Sequence, residues 1–530
     1  STTLTVSGYT AQAIKWQQSA ASNFSSPSDV NTGSNYTTNT YTTPNLETST
    51  YYRVAATCAG NYSDVAYSDV IVVTVNNTIY YVNDIPHIGH AYTSVATDCI
   101  ARFKRMEGFD VRFQTGTDEH GLKIQKAAEK NGVSPIELCN KNSQIFRDLT
   151  KKLNLSNNDF IRTTEDRHID GAKYLWDRLY DRGQIYLGEY EGWYSVSDET
   201  FYNEKDLVKS EDGKFKTITN GTVDWISEKS YFFKLSEWGD KLLDLYNNDK
   251  DFISPESKRN EVIKFVESGL NDLSVSRTSF KWGIQTPTDN KHIMYVWLDA
   301  LTCYANGVNY LNDEDEDIGE YWNNVTHIVG KDILRHHAVY WPAFLMAADL
   351  KLPKKIYAHG WWTNEGQKIS KSLGNAIDPI DIINDFGLDQ FRYFVLREVP
   401  FGNDGDFSKS ALINRINSDL VNDLGNLCQR SLTMIEKKLN SIIPELKSEV
   451  SNNKLISMYA NIVKDASLLV GSHKLHEYIK LVWSYVNEVN KFFNDNKPWE
   501  LFDKDIDKFS EILALTAESI KKIAFLINPI

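Results

Sequence analysis

The chain has 530 residues, more than one hydrophobic core normally spans, so several domains are expected. Its 71 acidic and 57 basic residues give a net charge of −14, which argues against a wholly basic nucleic-acid-binding surface and leaves room for a local one. The cysteines Cys58, Cys99, Cys139, Cys303 and Cys428 form no CxxC pair, which argues against a disulfide framework or a thiolate zinc site and fits a reducing compartment. No stretch reads as a membrane-spanning helix, and there is no basic-then-apolar leader. The chain opens on Ser1, which reads as a fragment or a processed product.

Residues 1–75 differ in composition from the rest, being rich in Ser, Thr, Asn and Tyr. Short alternating runs, among them Ala13-Ile14-Lys15-Trp16 and Tyr51-Tyr52-Arg53-Val54-Ala55, are separated by polar turn clusters, and predict a small β-sandwich with Trp16 as a core anchor. The segment resembles immunoglobulin-like repeats of bacterial surface and secreted proteins. Its glycosylation triplets, such as Asn23-Phe24-Ser25, are frequent in Ser/Thr/Asn-rich text and carry little weight. The run Val70–Val75 reads as the last sandwich strand, or as a strand lent to the sheet that follows.

From Thr78 the pattern changes. Ile79-Tyr80-Tyr81-Val82-Asn83 reads as a buried strand ended by Pro86. Ile88, Ala91, Val95, Cys99, Ile100, Phe103 and Met106 then recur at helical spacing, closed by Gly108. His87 and His90 therefore fall at a strand-to-helix junction, where unpaired backbone N–H groups and the helix dipole favour an anion, and Gly89 lets a ligand approach the backbone. On this stretch alone a phosphate site and a solvated turn are equally good readings. Val111–Thr115 predicts a second strand, followed by the turn around Asp118, with helices over 126–153 and 168–182. Alternating strands and helices predict a parallel α/β sheet whose ligands bind at the carboxyl ends of the strands.

Residues 186–275 read as an aromatic, partly strand-like insertion. The α/β pattern resumes at Ile293–Trp297, Val325–Gly330 and Lys355–His359, and is followed by Gly366-Gln367-Lys368-Ile369-Ser370-Lys371-Ser372 on a loop. From Ser408 the apolar spacing through Leu412, Ile416, Leu420, Leu424, Leu427 and Leu432 predicts a helical bundle.

The pair His87-Ile88-Gly89-His90 and Lys368-Ile369-Ser370-Lys371-Ser372, in this order and context, resembles the paired signatures of class I aminoacyl-tRNA synthetases. The strings Gly116-Thr117-Asp118-Glu119-His120-Gly121, Tyr295-Val296-Trp297-Leu298-Asp299-Ala300 and Gly330-Lys331-Asp332-Ile333 resemble the methionyl family in particular, and Asn426–Arg430 and Asn496-Lys497-Pro498-Trp499 resemble its anticodon-binding bundle. The resemblance spans roughly Thr78 to Ile530. With the immunoglobulin-like β-sandwich read over 1–75, it implies a multidomain protein: a Rossmann-like α/β catalytic domain in two halves (76–185 and 276–350), an α+β insertion (186–275), a stem-contact region with the Lys-Ile-Ser-Lys-Ser loop (351–407), and a truncated α-helical anticodon domain (408–530).

The implied activity is methionine–tRNA ligation: ATP-dependent activation of methionine, then transfer to the 3′ end of methionine tRNA. In this reading His87 and His90 donate to the α-phosphate region, and Lys368 and Lys371 neutralise the triphosphate from a mobile loop in which Ser370 and Gly366 permit closure, with Gly89 at the nucleotide. Mg²⁺ accompanies ATP. Asp118 pairs with the amino group of methionine. Ile79, Tyr81, Trp297, Ala300, Tyr304 and His337 enclose the thioether. Lys331 and Asp332 organise the pocket floor or the ribose side, or form a local ion pair. Asn426, Arg430 and Trp499 read unstacked anticodon bases. Without the resemblance, Trp297 and Tyr304 read equally well as sheet core, Trp499 as a helix-start anchor, and both lysines as a solvated loop.

Three departures stand out. Where many family members carry paired zinc-binding cysteines, this chain reads Trp193-Tyr194-Ser195-Val196-Ser197-Asp198-Glu199, so no structural zinc is expected. Asn76-Asn77-Thr78 replaces the usual Thr-Pro, and the bundle stops early. The enzyme part implies a cytoplasmic location, whereas residues 1–75 alone suggest an extracellular one. The alternatives are a class I ligase for another amino acid, a smaller nucleotidyltransferase, or an inert ligase segment fused to an extracellular binding repeat. Neither a membrane partner nor any oligomeric state is indicated.

Overall fold

The structure is a computed structural model that describes residues 3–5, 13–19, 28–29, 40–42, 51–57, 65–67, 72–77, 79–82, 86–195, 200–202, 204–210, 213–217, 221–311, 321–364, 367–368, 377–446 and 453–530. Before residue 72 it gives backbone strands. Ala13–Ser19 pairs antiparallel with Ser28–Asp29 and with Tyr51–Thr57, which pairs in turn with Val65–Tyr67; Thr3–Thr5 pairs with Thr40–Thr42.

The main sheet contains β1 (Val72–Asn77), β2 (Tyr80–Tyr81), β3 (Asp110–Asp118), β4 (Asp159–Arg162), β5 (Ile253–Ser254), β6 (Val325–Gly330) and β7 (Lys355–His359). The order is β4-β3-β1-β6-β7-β5, with β2 beside the end of β3, and every pair is parallel. A parallel sheet covered on both faces needs apolar residues on both, and β6 and β7 show it. Ile328 and Tyr357 pack on one side with helix α1 (Ile88–Met106); Val325, Val329, Ile356 and Ala358 pack on the other.

Four expectations are corrected. The strand after Thr78 is only Tyr80–Tyr81, because the sheet's central strand is β1, paired through Val72–Asn76 with Asp110–Gln114 and through Thr74–Asn77 with Val325–Ile328. The boundary placed between 75 and 76 therefore cuts a strand of the catalytic sheet. The single helix expected over 126–153 is two, α2 (Leu122–Asn131) and α3 (Pro135–Lys152), split where Gly132 turns left-handed (φ +67°) and Ser134 caps a helix opened by Pro135. The stretch 186–275 is not all insertion: β5 lies within it and pairs with β7 through Ile253↔Ile356 and Ser254↔Tyr357. Its antiparallel part is built on the long pairing of Ile185–Ser195 with Val223–Phe233.

The other face of the sheet carries helices α4 (Asp166–Asp181) and α5 (Val296–Asn306). Beyond the sheet come α6 (Leu388–Arg397), α7 (Asn426–Lys438), α8 (Lys454–Gly471), α9 (Leu475–Asn496) and α10 (Ile506–Ile527). The apolar residues of α1, α6 and these last helices form one continuous core, so the helical region is joined to the sheet by packing as well as by chain.

Candidate active site

A cavity of about 520 Å³ opens at the carboxyl ends of β3, β6 and β7, beside the segment that follows β1. The chain leaves β1 towards β3 on one side, while β6 lies on the other, so the cavity sits where the strand order reverses. Its wall contains Ile79, Tyr81, His87, Gly89, His90, Asp118, Trp297, Ala300, Tyr304 and His337. These are all the expected nucleotide and methionine residues except the three on the Lys-Ile-Ser-Lys-Ser loop.

The histidine turn is a helix cap. The Gly89 N–H donates to His87 Nδ1 at 3.1 Å, and the His87 N–H donates to His90 Nδ1 at 3.1 Å. The two rings thus do the work that Ser and Glu do in an ordinary capping box. With Nδ1 accepting in both, each neutral ring carries its proton on Nε2 and can donate from there. The rings stack at 3.8 Å, and His90 is braced edge-on by Tyr80 and Phe146. A Cβ on residue 89 would lie 3.0 Å from His87 Cε1, so glycine there permits the ring to fold over the helix start.

The opposite wall is one face of α5, where Trp297, Ala300 and Tyr304 recur at helical spacing beside Val296 and Leu301. Trp297 stacks on His336 at 3.8 Å. A chain of hydrogen bonds closes this end of the cavity. His337 Nδ1–H donates to the Ile333 carbonyl at 2.9 Å, leaving Nε2 to accept the Tyr304 hydroxyl at 2.7 Å. The Tyr304 oxygen in turn accepts the Ile79 N–H. Burial pushes His337 down to about 4, against the opposing pull of the Ile333 carbonyl, so the ring is neutral; burial likewise drives Tyr304 far up.

Asp118 ends β3, is 7% exposed and faces the cavity. The two residues that follow it are anchored. Glu119 accepts two bonds from Arg162 at 2.7 and 2.8 Å and one each from Thr117 and Thr164 at 2.6 Å. His120 is bound to Asp299 at 2.6 Å.

Ser370 and Lys371 lie outside the described residues, as does Gly366. Lys368 closes the strand Gln367–Lys368, whose backbone pairs with Trp362–Asn364 through Thr363↔Lys368. Trp362 and Thr363 line the cavity, and the Ile377 carbonyl accepts the Ile88 N–H at 3.0 Å. Both flanks of the undescribed segment 369–376 therefore meet the cavity rim. Asp332 lines the cavity and accepts the Trp361 indole N–H at 3.1 Å, whereas Lys331 pairs with Asp404 at 2.6 Å above the Trp361 ring. Of this pair, Lys331 takes the ion-pair alternative.

Asn426 and Arg430 stand one turn apart on α7. The Arg430 guanidinium lies 5.1 Å from the centre of the Trp499 ring and 5.1 Å from that of Phe493, and Trp499 is 46% exposed. Among the described residues no group of three or more His, Cys, Asp or Glu is placed to hold a metal ion; residues 196–199 of the knuckle position lie outside them.

Tyr92, Thr93, Lys123 and His359 also line the cavity and escaped the sequence reading. Thr93 falls one turn after His90, and Lys123 two residues after the Gly116–Gly121 string, so proximity to the motifs was their only signal. His168 and Asp299 are joined at 2.6 Å behind the wall; Asp299 lies within the Tyr295–Ala300 string, whereas nothing marked His168.

A family model described as tRNA synthetases class I (M) matches residues 73–432. Residues 1–77 match a domain of unknown function, so the likeness to an immunoglobulin-like surface repeat finds no support. The methionine–tRNA ligase of Rickettsia conorii is 50% identical over 459 residues, covering 86% of this chain and 89% of that protein. That of Brucella melitensis is 47% identical over 456 residues, covering 86% and 88%. Among solved structures, Mycobacterium tuberculosis methionyl-tRNA synthetase in complex with methionyl-adenylate superposes with a TM-score of 0.84 at 45% identity, covering 87% of this chain and 91% of that one. Its free form gives 0.78 at 42% identity, covering 87% and 89%. The chain belongs to the methionyl family of class I aminoacyl-tRNA synthetases.

Proposed function

We propose that this chain is a methionine–tRNA ligase. The observation that carries the reading is one cavity that joins a histidine-capped helix start, a carboxylate and an apolar aromatic wall. A methionine carboxylate oxygen attacks the α-phosphorus of Mg-ATP, the bond to the β-phosphate oxygen breaks, and pyrophosphate leaves with that oxygen. Nε2–H of His87 and His90 donates to the phosphate oxygens as charge builds, from a turn already fixed by its own cap. Lys368, Ser370 and Lys371 close over the triphosphate from the rim. Asp118 holds the ammonium group. The thioether lies against Trp297, Ala300 and Tyr304, with Ile79, Tyr81 and His337 completing the pocket. A ribose hydroxyl at the tRNA 3′ end then attacks the adenylate carbonyl carbon, and AMP departs.

With Lys355–His359 in the main sheet, the stem contact expected over 351–407 is drawn back to 365–407; the same reading assigns residues 72–185, 253–254 and 276–364 to the catalytic part, and 186–252 and 255–275 to the insertion. The helices from Ser408 onward hold the anticodon through Asn426, Arg430 and Trp499. The substrates put the protein in the cytoplasm, and its knuckle needs no zinc. The test is amino-acid-dependent ATP–pyrophosphate exchange across a panel of amino acids. Exchange with methionine is expected; exchange with leucine or valine instead would move the specificity. No exchange at all would favour an inert ligase segment.

A further inference from the structure

Behind the amino-acid wall lies a buried carboxylate to which the proposed reaction gives no task. Asp299 is 1% exposed and accepts Nδ1–H of His120 and Nε2–H of His168, both at 2.6 Å. The three residues come from three elements: the turn after β3, α4 and α5. His168 is fixed in its tautomer, because its Nδ1 faces the Asn306 amide nitrogen at 3.4 Å and the same amide donates to the His168 carbonyl at 3.1 Å. Burial alone would raise the Asp299 carboxyl, but the two rings outweigh it and hold the group down to about 2, so the anion persists. A buried anion of this kind is seldom more stabilising than an apolar filling of the same shape. Its particular capacity is geometric, since two short charge-assisted bonds fix distance and orientation together.

Those bonds join the two sides of the pocket. His120 is two residues beyond Asp118, and Asp299 stands between Trp297 and Ala300 in sequence, on the helix that carries Tyr304. We propose that Asp299 is a positioning residue: its bonds to His120 and His168 set the separation between Asp118 and the aromatic face of α5, and hence the fit of the amino acid. This rests on the reading of the cavity as a methionine site. Displacement of a positioned group by about 1 Å can cost on the order of a hundredfold in rate.

The test compares Asp299→Leu and Asp299→Asn in the full chain by pyrophosphate exchange, with melting curves for each variant. Leucine removes both bonds, and an increase of about tenfold or more in KM for methionine is expected, with KM for ATP within about twofold. Asparagine can accept only one ring N–H. His168 is held by Asn306, so His120 must move its proton to Nε2 and accept from the new amide. A smaller rise in KM is expected there, with ¹⁵N spectra showing His120 in the switched tautomer. A wild-type methionine KM in a folded Asp299→Leu protein would overturn the proposal, as would losses in kcat that merely track the folded fraction. Absence of methionine-dependent exchange in the wild type would instead overturn the reading on which it rests.

Discussion

Arg392 reaches Asp98 at 2.7 Å in the interior, and the pair joins α6 to α1, the helix that follows the histidine turn. Arg392, on α6, also donates to the Leu153 carbonyl at 2.9 Å and to the Pro529 carbonyl at 3.3 Å. Asp98, on α1, accepts Arg102 at 2.6 Å and the Ser156 N–H at 2.7 Å. Arg392→Met removes one of the two guanidinium partners of this carboxylate and leaves Arg102 in place, so a loss of about 1.5–3 kcal/mol is expected, as for a hydrogen bond to a charged group. Lys151 and Asp148 make the opposite case, with side chains 71% and 51% exposed. Lys151→Ala is expected to change stability by less than about 0.5 kcal/mol. Calorimetric melting of the two variants checks the contrast.

His87 caps α1, and the proposed reaction gives it a second, separable task. His87→Asn keeps an N-cap acceptor, so the melting temperature is expected to stay near that of the wild type. The Nε2 donor is lost, and the rate of adenylate formation is expected to fall by about 10²–10³. Single-turnover measurement with a saturating amino acid decides it; an unchanged rate would remove His87 from the chemistry.

Tyr304→Phe deletes the hydroxyl between His337 Nε2 and the Ile79 N–H. Each buried polar atom left unsatisfied costs about 1–3 kcal/mol. A rise in KM for methionine of roughly tenfold, with KM for ATP little altered, is expected from that range. Exchange kinetics with each substrate varied in turn separate the two.

Acid should loosen the fold before it denatures it. His337 and His473 are buried and neutral, their pKa values driven by burial from the ordinary 6.5 to about 4 and about 3. An unfolded chain binds these protons below pH 6.5, while the folded one refuses them until the lower values. Their contribution is therefore complete above pH 6.5 and is lost as pH falls towards 4, at about 1.4 kcal/mol per unit for each group. Asp299 acts in a separate window, losing its contribution only between pH 3.8 and about 2. Melting temperatures should stay level from pH 7.5 to about 6.5 and fall from there to pH 4.5; a flat profile would contradict the neutral histidines.

Under the proposed anticodon contact, Trp499→Ala removes the ring against the Arg430 guanidinium and with it a stacking face, worth about 1–3 kcal/mol per base. A rise in KM for tRNA of about tenfold or more follows from that figure, with pyrophosphate exchange unchanged. Parallel assays of exchange and of tRNA charging test it.

What could be read in advance follows from what each feature needs. β6 and β7 were legible because strands buried on both faces are nearly continuous apolar runs. Helix α1 was legible because its apolar positions repeat every three to four residues. β5 was not, since two residues carry no period. The bonds of Asp299 to His120 and His168 span 179 and 131 residues, and nothing local marks them. Trp297, Ala300 and Tyr304 share a helical face, but a core helix has the same spacing; only the motif resemblance distinguished pocket from core.

β1 is also the strand on which both family matches meet. The two family matches overlap on residues 73–77, inside the strand that pairs on both sides with its neighbours. A central parallel strand is held by backbone bonds and asks of its side chains only that they be mostly β-branched and apolar, which Val72-Val73-Thr74-Val75 supplies. The slot is an interchangeable part. A change of sequence along β1 that keeps this pattern leaves both of its ladders whole, because the backbone and not the identity of each side chain makes the bonds.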